Sequence, residues 1–95
     1  MAPDFEWDSA EDAENQLNHG ISFGDAQLVF LDADRGIAKD VNHSKTEERF
    51  YCFGLVELGV LTVRFTYRGE KIRIFGAGFW TRGRKIYETH RQIQK

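Results

Sequence analysis

The stretch VLTVRFTYRGEKIRIFGA, residues 60–77, decides the fold. In Val60–Tyr67, Leu61, Val63, Phe65 and Tyr67 fall on one side and Thr62, Arg64 and Thr66 on the other. A period of two is that of a strand with one buried face. Arg68-Gly69-Glu70 reads as a tight turn, the glycine supplying a backbone angle that other residues resist. Lys71–Ala77 then alternates again, with Ile72 and Ile74 inward and Lys71, Arg73 and Phe75 outward. The two segments predict an antiparallel hairpin that buries Leu61, Val63, Phe65, Ile72 and Ile74 together.

Upstream, Arg49–Leu55 joins this hairpin through VELG, and Gly36–Asp40 is a further strand candidate. The polar run VNHSKTEE between those two reads as a loop, so the pattern suits a three- or four-stranded antiparallel meander. Near the start, Phe5-Glu6-Trp7 has the aromatic content of a short strand. Asp8 and Glu11 then have the spacing of a reciprocal helix cap, Ala10, Ala13 and Leu17 share one side of the helix, and Gly20 fits its left-handed end. Ser22 with Asp25 starts a second, short helix that ends near Asp32-Ala33-Asp34, so the pair resembles a helical hairpin. Thr81 is a candidate N-cap for RGRKIYETHRQIQK, where Ile86, His90 and Ile93 form a partly apolar stripe. Arg82, Arg84 and Lys85 lie in its first turn, where the helix dipole disfavours cations, and Gly83 weakens the same turn. An anionic ligand, a partner or a carboxylate from elsewhere in the chain would help to order it. The expected class is α+β: two N-terminal helices, an antiparallel sheet and a C-terminal helix.

Size sets the frame for this plan. Ninety-five residues, 41% of them hydrophobic, hold one compact core, so residues 1–95 are read as a single domain. A lone Cys52 closes no intrachain disulfide and, mid-strand, reads as a small buried hydrophobe. The opening MAPDFEWDSA lacks a basic region followed by an apolar run, and no long uncharged apolar stretch follows. A cytoplasmic protein without a membrane association is expected. The net charge of -2 conceals an asymmetry: residues 1–63 carry 4 basic and 13 acidic side chains, residues 64–95 carry 9 and 2. That distribution argues against a generally basic nucleic-acid coat, and it leaves open a bipolar solvated surface or a local basic surface for a phosphate backbone.

Few motifs carry chemistry outright. His19, His43 and His90 lack metal-ligand spacing, the one cysteine has no second to pair with, and Gly76-Ala77-Gly78 lacks the rest of a phosphate loop, so neither metal nor cofactor is expected. More informative is the outward face of the hairpin, where Arg64, Arg73 and Lys71 accompany Thr62, Thr66 and Phe75. Guanidinium and ammonium groups there would hold a phosphate and meet the extra charge of a pentacoordinate transition state, and the aromatic would stack a base. A merely solvated strand face is the competing reading.

In order along the chain, FEWDSAEDAENQLNHGISF (5–23), VFLD (29–32), DVNHSKTEERFYCFG (40–54) and YRGEKIRIFGA (67–77), with Thr81-Arg82 and Tyr87-Glu88, closely resemble the BrnT-type toxins. These are the ribonuclease components of type II toxin–antitoxin pairs. The resemblance covers nearly the whole chain. It implies a RelE-like fold, RNA cleavage without a metal by attack of a ribose 2′-OH on the adjacent phosphodiester, and neutralisation by a BrnA-type antitoxin in a hetero-oligomer. Operator DNA would be met only through the antitoxin. Carried onto this chain, Arg64, Arg73 and Arg82 are the catalytic candidates. Lys71, Phe75, Arg84 and Lys85 are the RNA-binding candidates, and Glu48, Arg49 and His43 are candidates for acid–base or orienting roles. The chain departs from the family pattern SAR-x-x-T-x-x-E after the last strand, where Gly78 replaces an arginine and Arg84 a glutamate. Glu11 likewise replaces a common lysine. Either Arg82, Arg84 or Lys85 substitutes for the missing arginine, or catalysis is reduced. Two other readings stand beside the ribonuclease: a non-catalytic homologue that binds protein or regulates its operon, and a small RNA-binding module.

Overall fold

The computed structural model describes residues 4–94, with side chains to Arg91; Ile93 of the apolar stripe therefore lies outside the described side chains. Five strands form one sheet: β1 (Asp4–Glu6), β2 (Gly36–Lys39), β3 (Arg49–Val56), β4 (Gly59–Arg68) and β5 (Lys71–Gly78). Their order is β1-β5-β4-β3-β2. β2 to β5 make the expected antiparallel meander, while β1 adds to the far edge in parallel, pairing Phe5 with Ile72. The sheet is thus mixed rather than purely antiparallel. Among the described residues three α-helices complete an α+β fold: α1 (Ser9–His19), α2 (Phe23–Ala26), which runs on as a 3-10 turn over Gln27–Leu31, and α3 (Thr81–Gln94). A strand precedes the first helix, so the chain does not open on a helical pair.

One face of the sheet carries the core. Leu61, Val63, Phe65, Ile72 and Ile74 are buried together, as the alternation predicts, under Ile21, Phe23, Ala26 and Val29 from the α2 region. Phe65 is its hub, with ring centroids 5.1 Å from Phe30, 5.6 Å from Phe50 and 5.3 Å from Tyr67. Cys52 packs in the same layer, and burial pushes its thiol up to about 12, which leaves it an inert hydrophobe.

The helices dock differently from a simple apolar-face reading. In α1, Asp8 accepts from the Ala10 and Glu11 amides and Gly20 ends the helix with φ 69°, as the sequence predicts. Yet Ala10, Ala13 and Leu17 face solvent, and the buried residue is Asn15. Its amide accepts from the Ala77 N–H at 3.1 Å and donates to the Ala77 and Ile21 carbonyls at 3.0 and 2.9 Å. Beyond the end of β1 the edge of β5 needs hydrogen-bond partners, and one side chain supplies them in place of a strand.

On the opposite face, α3 begins at Thr81 rather than being capped by it, and the Arg84 amide bonds the Trp80 carbonyl at 3.1 Å. It docks through Gly83 and Tyr87, while Ile86 is 42% exposed. A Cβ at position 83 would overlap the Thr62 hydroxyl, so glycine is needed for the helix backbone to lie against β4. The Tyr87 hydroxyl donates to Asp32 at 2.6 Å, and the same carboxylate accepts from the Leu55 amide at 2.7 Å. One aspartate thereby ties α3 to β3 and to the turn after α2.

Candidate functional site

Between α3 and the 3-10 turn at Val41–His43, the outer face of the sheet opens into a groove of about 640 Å³. Asp40, His43, Tyr51, Thr62, Arg64, Trp80 and Arg82 line it. Local geometry explains the convergence. Residues three apart eclipse each other on a 3-10 turn, which stacks His43 over Asp40. Tyr51 on β3 lies directly across from Arg64 on β4, both on the outward side. Next to Arg64 the pairing shifts, since Arg64 meets Gly76 whereas Phe65 meets Ile74, so Phe75 is an extra residue in β5. Such a bulge bends the strand and re-aims side chains. The strict alternation read from residues 71–77 does not contain it.

The Asp40 carboxylate is buried, 4% exposed, and His43 Nδ1 lies 2.9 and 3.0 Å from its two oxygens. Burial acts to raise the Asp40 pKa. Hydrogen bonds from His43 and Tyr51, with the charges of His43 and Arg64, outweigh it and hold the group below its ordinary 3.8. Burial and the bond to Asp40 raise the Tyr51 phenol above its usual 10, while Arg64 and Arg82 pull the other way. The imidazole is half exposed, and its Nε2 makes no hydrogen bond among the described residues. A buried carboxylate thus fixes one ring nitrogen and leaves the other unpartnered in a groove that Arg64 and Arg82 also line, an arrangement suited to proton removal next to a bound anion.

The other sequence candidates are distributed more widely. Arg73 lies in the next rows of the sheet, opposite Thr66, and pairs with Glu6 of β1 at 3.0 Å; Lys71 approaches the same carboxylate at 3.9 Å. The Arg49 guanidinium covers the Phe75 ring at 4.2 Å from its centroid and meets Glu47 at 3.5 Å. Glu48 pairs with Lys39 at 3.2 Å on an exposed edge. Arg84 and Lys85 are exposed on α3, and Arg84 stands 4.0 Å from Glu88. The structure therefore brings Arg64, Arg82 and His43 together and sets Arg73, Lys71 and Glu48 apart from them. Among the described residues, no three His, Cys, Asp or Glu side chains form a metal-holding group.

Asp40, Tyr51 and Trp80 are absent from the sequence-based candidates. Two of them had a signal: the Asp40…His43 spacing, and the position of Tyr51 two residues after Arg49 on the outward side of its strand. Trp80 explains the departure at position 78, since a Cβ on Gly78 would come within 2.6 Å of the Trp80 ring. The indole occupies the space that a side chain at 78 would need.

The sheet and helices define a small α+β protein with an open groove on the outer sheet face, lined by Arg64, Arg82 and the Asp40–His43 pair. Residues 7–83 match the family model of BrnT, the ribonuclease toxin of type II toxin–antitoxin systems, and the chain belongs to that family. Membership in a type II toxin–antitoxin family implies an antitoxin protein as partner. No curated protein matches the chain closely enough to add a named relative. Among the described residues no helix is long and apolar enough to cross a membrane.

Proposed function

We propose that this chain is a metal-independent endoribonuclease whose catalytic centre is the groove holding Asp40, His43, Tyr51, Arg64 and Arg82. The observation that carries this reading is the pairing of His43 Nδ1 with buried Asp40, which leaves Nε2 without a partner in a groove that Arg64 and Arg82 also line. His43 Nε2 takes the proton of a ribose 2′-OH, and the freed oxygen attacks the adjacent phosphorus. Arg64 and Arg82 meet the added negative charge of the phosphorane, each with a fixed fork of donors. The P–O5′ bond then breaks, O5′ takes a proton from water, the hydroxide so formed takes the proton from His43, and the upstream fragment keeps a 2′,3′-cyclic phosphate at its 3′ end. Asp40 stabilises the imidazolium that forms, and Tyr51 holds Asp40 in place.

The antiparallel β2–β5 meander with its closing α3 supports a RelE-like fold. Family membership supports a BrnA-type antitoxin that binds the toxin in a hetero-oligomer and meets operator DNA on its behalf, in the cytoplasm. The test is the chemistry of the cut ends. Incubated with end-labelled RNA in EDTA, the chain is expected to leave 2′,3′-cyclic phosphate and 5′-hydroxyl termini. Ends bearing 5′-phosphate, or activity abolished by EDTA, would contradict the mechanism.

A further inference from the structure

A second hollow, of about 250 Å³, adjoins the groove and shares Arg64 and Trp80 with it. Phe75, Gly76 and His19 complete its floor and wall, and Glu11, Glu14, Asn15 and Asn18 of α1 form its polar side. Residues three, four and seven apart lie on one helix face, so α1 presents these four together. Asn15 spends its amide on Ala77 and Ile21, leaving the two glutamates and Asn18 to meet a ligand.

Glu11 has the spacing of a reciprocal cap, yet only Asp8 caps the helix, and Glu11 takes part there through its backbone alone. Neither Glu11 nor Glu14 makes an ion pair among the described residues, although Arg64 lines the same hollow. Two carboxylates repel a phosphate. They suit a neutral group rich in donors, and the aromatic walls suit a flat one. The Trp80 indole is positioned against His19, ring centroids 5.3 Å apart and nearly perpendicular.

We propose that this hollow is a base-binding subsite that selects guanine in the nucleotide next to the cleaved phosphate, with Glu11 and Glu14 reading its Watson–Crick edge and Trp80 its face. This rests on the ribonuclease reading and names the substrate feature that the centre prefers. Guanine alone offers two neighbouring donors on that edge, N1–H and the N2 amine, to match the two oxygens of one carboxylate. Adenine, cytosine and uracil each offer one donor group there. Unstacked bases of single-stranded RNA are read in this way, by stacking on aromatic rings and hydrogen bonds to the exposed edge. Arg64, common to both hollows, ties the base to the phosphate.

Binding and cleavage are measured separately. Titration of the chain with the 5′-monophosphates of guanosine, adenosine, cytidine and uridine is followed by the NMR signal of the Trp80 indole. Trp7, packed at the core against Phe23, serves as the internal control. Guanosine monophosphate is expected to bind about 10-fold more tightly than the others, as one bidentate contact discriminates. Both E11Q and E14Q, made at exposed positions, should narrow that ratio. RNAs with a single guanosine are expected to be cut beside it, about 10-fold more slowly when inosine removes the N2 amine. Equal affinity for all four nucleotides, no binding of any, or binding of acetyl-arginine amide in their place would overturn the subsite, whatever the cleavage assay gives. Guanine-selective binding without cleavage would support the subsite and count against the ribonuclease reading.

Discussion

The two faces of β4 do opposite work with adjacent residues. Leu61, Val63 and Phe65 are wholly buried against the α2 layer, whereas Thr62, Arg64 and Thr66 point to the face that α3 covers only in part. The first face is held by apolar contact and aromatic packing. The second is closed at one end by the contact of Gly83 with Thr62 and stays open at the other around Arg64 and His43. One strand therefore supplies the core and the lining of the groove at once, because a period of two separates the two faces.

Substitutions on the two faces should separate accordingly. Phe65→Ala removes the hub of the core and is expected to cost about 3–5 kcal/mol, a large share of the stability of so small a domain. Urea unfolding checks this, and a loss below about 1 kcal/mol would mean that the core face is not organised around this ring. At the closed end of the other face, Gly83→Ala forces a methyl group into Thr62 and should cost about 1–3 kcal/mol, as overpacking does. Because α3 carries Arg82, this variant should also cut more slowly than its stability alone explains, under conditions where it remains folded.

Within the open face the contrast is finer. Arg64→Lys keeps the charge but loses the fork, and a tenfold drop in kcat corresponds to about 1.4 kcal/mol of transition-state stabilisation. The same change at Arg73, which is held by Glu6 beside the β1 edge, should leave cleavage within about 2-fold, under 0.5 kcal/mol on that scale. Equal losses at both positions in matched cleavage time courses would join Arg73 to the site.

Acid gives the smallest separation. Burial raises Asp32, but the Leu55 amide, the Tyr87 hydroxyl, the Asp34 amide and Arg91 lower it further, so it joins Asp40 below 3.8. A carboxylate depressed in the folded state adds stability that is present above its unfolded value and lost as pH falls through the folded one. Urea midpoints should therefore hold between pH 7 and 5 and decline below about pH 4. Asp40→Asn should flatten that decline in part; a midpoint unchanged down to pH 3 would contradict both assignments.

Much of the framework is legible in residues 60–77, because alternation and the glycine turn are local rules that the packing obeys. Parallel addition of β1 is less so: three residues carry no mark of direction, and only the β5 edge decides it. The helix α1 misleads for a physical reason. Its apolar side is too small to matter, and one asparagine repairing a sheet edge outweighs it. Arg64 and Arg82 are legible as candidate phosphate ligands from their charge and place, and one groove brings them together. The bulge at Phe75 and the packing of Trp80 over Gly78 are not legible, since both depend on contacts distant in sequence. Asp40 and His43 lay in view three residues apart, but a polar loop gives no hint that it turns as a 3-10 helix.

The assignment of the groove as the cleaving centre is tested most directly at His43. Asn at that position can keep a donor toward Asp40 while removing Nε2, the ring nitrogen that Asp40 does not hold. Single-turnover cleavage of a labelled RNA by His43→Asn should be slower than wild type by about 100-fold or more, the usual loss of a general base, with an unchanged urea midpoint at pH 7. Cleavage at the wild-type rate by this folded variant would contradict the account.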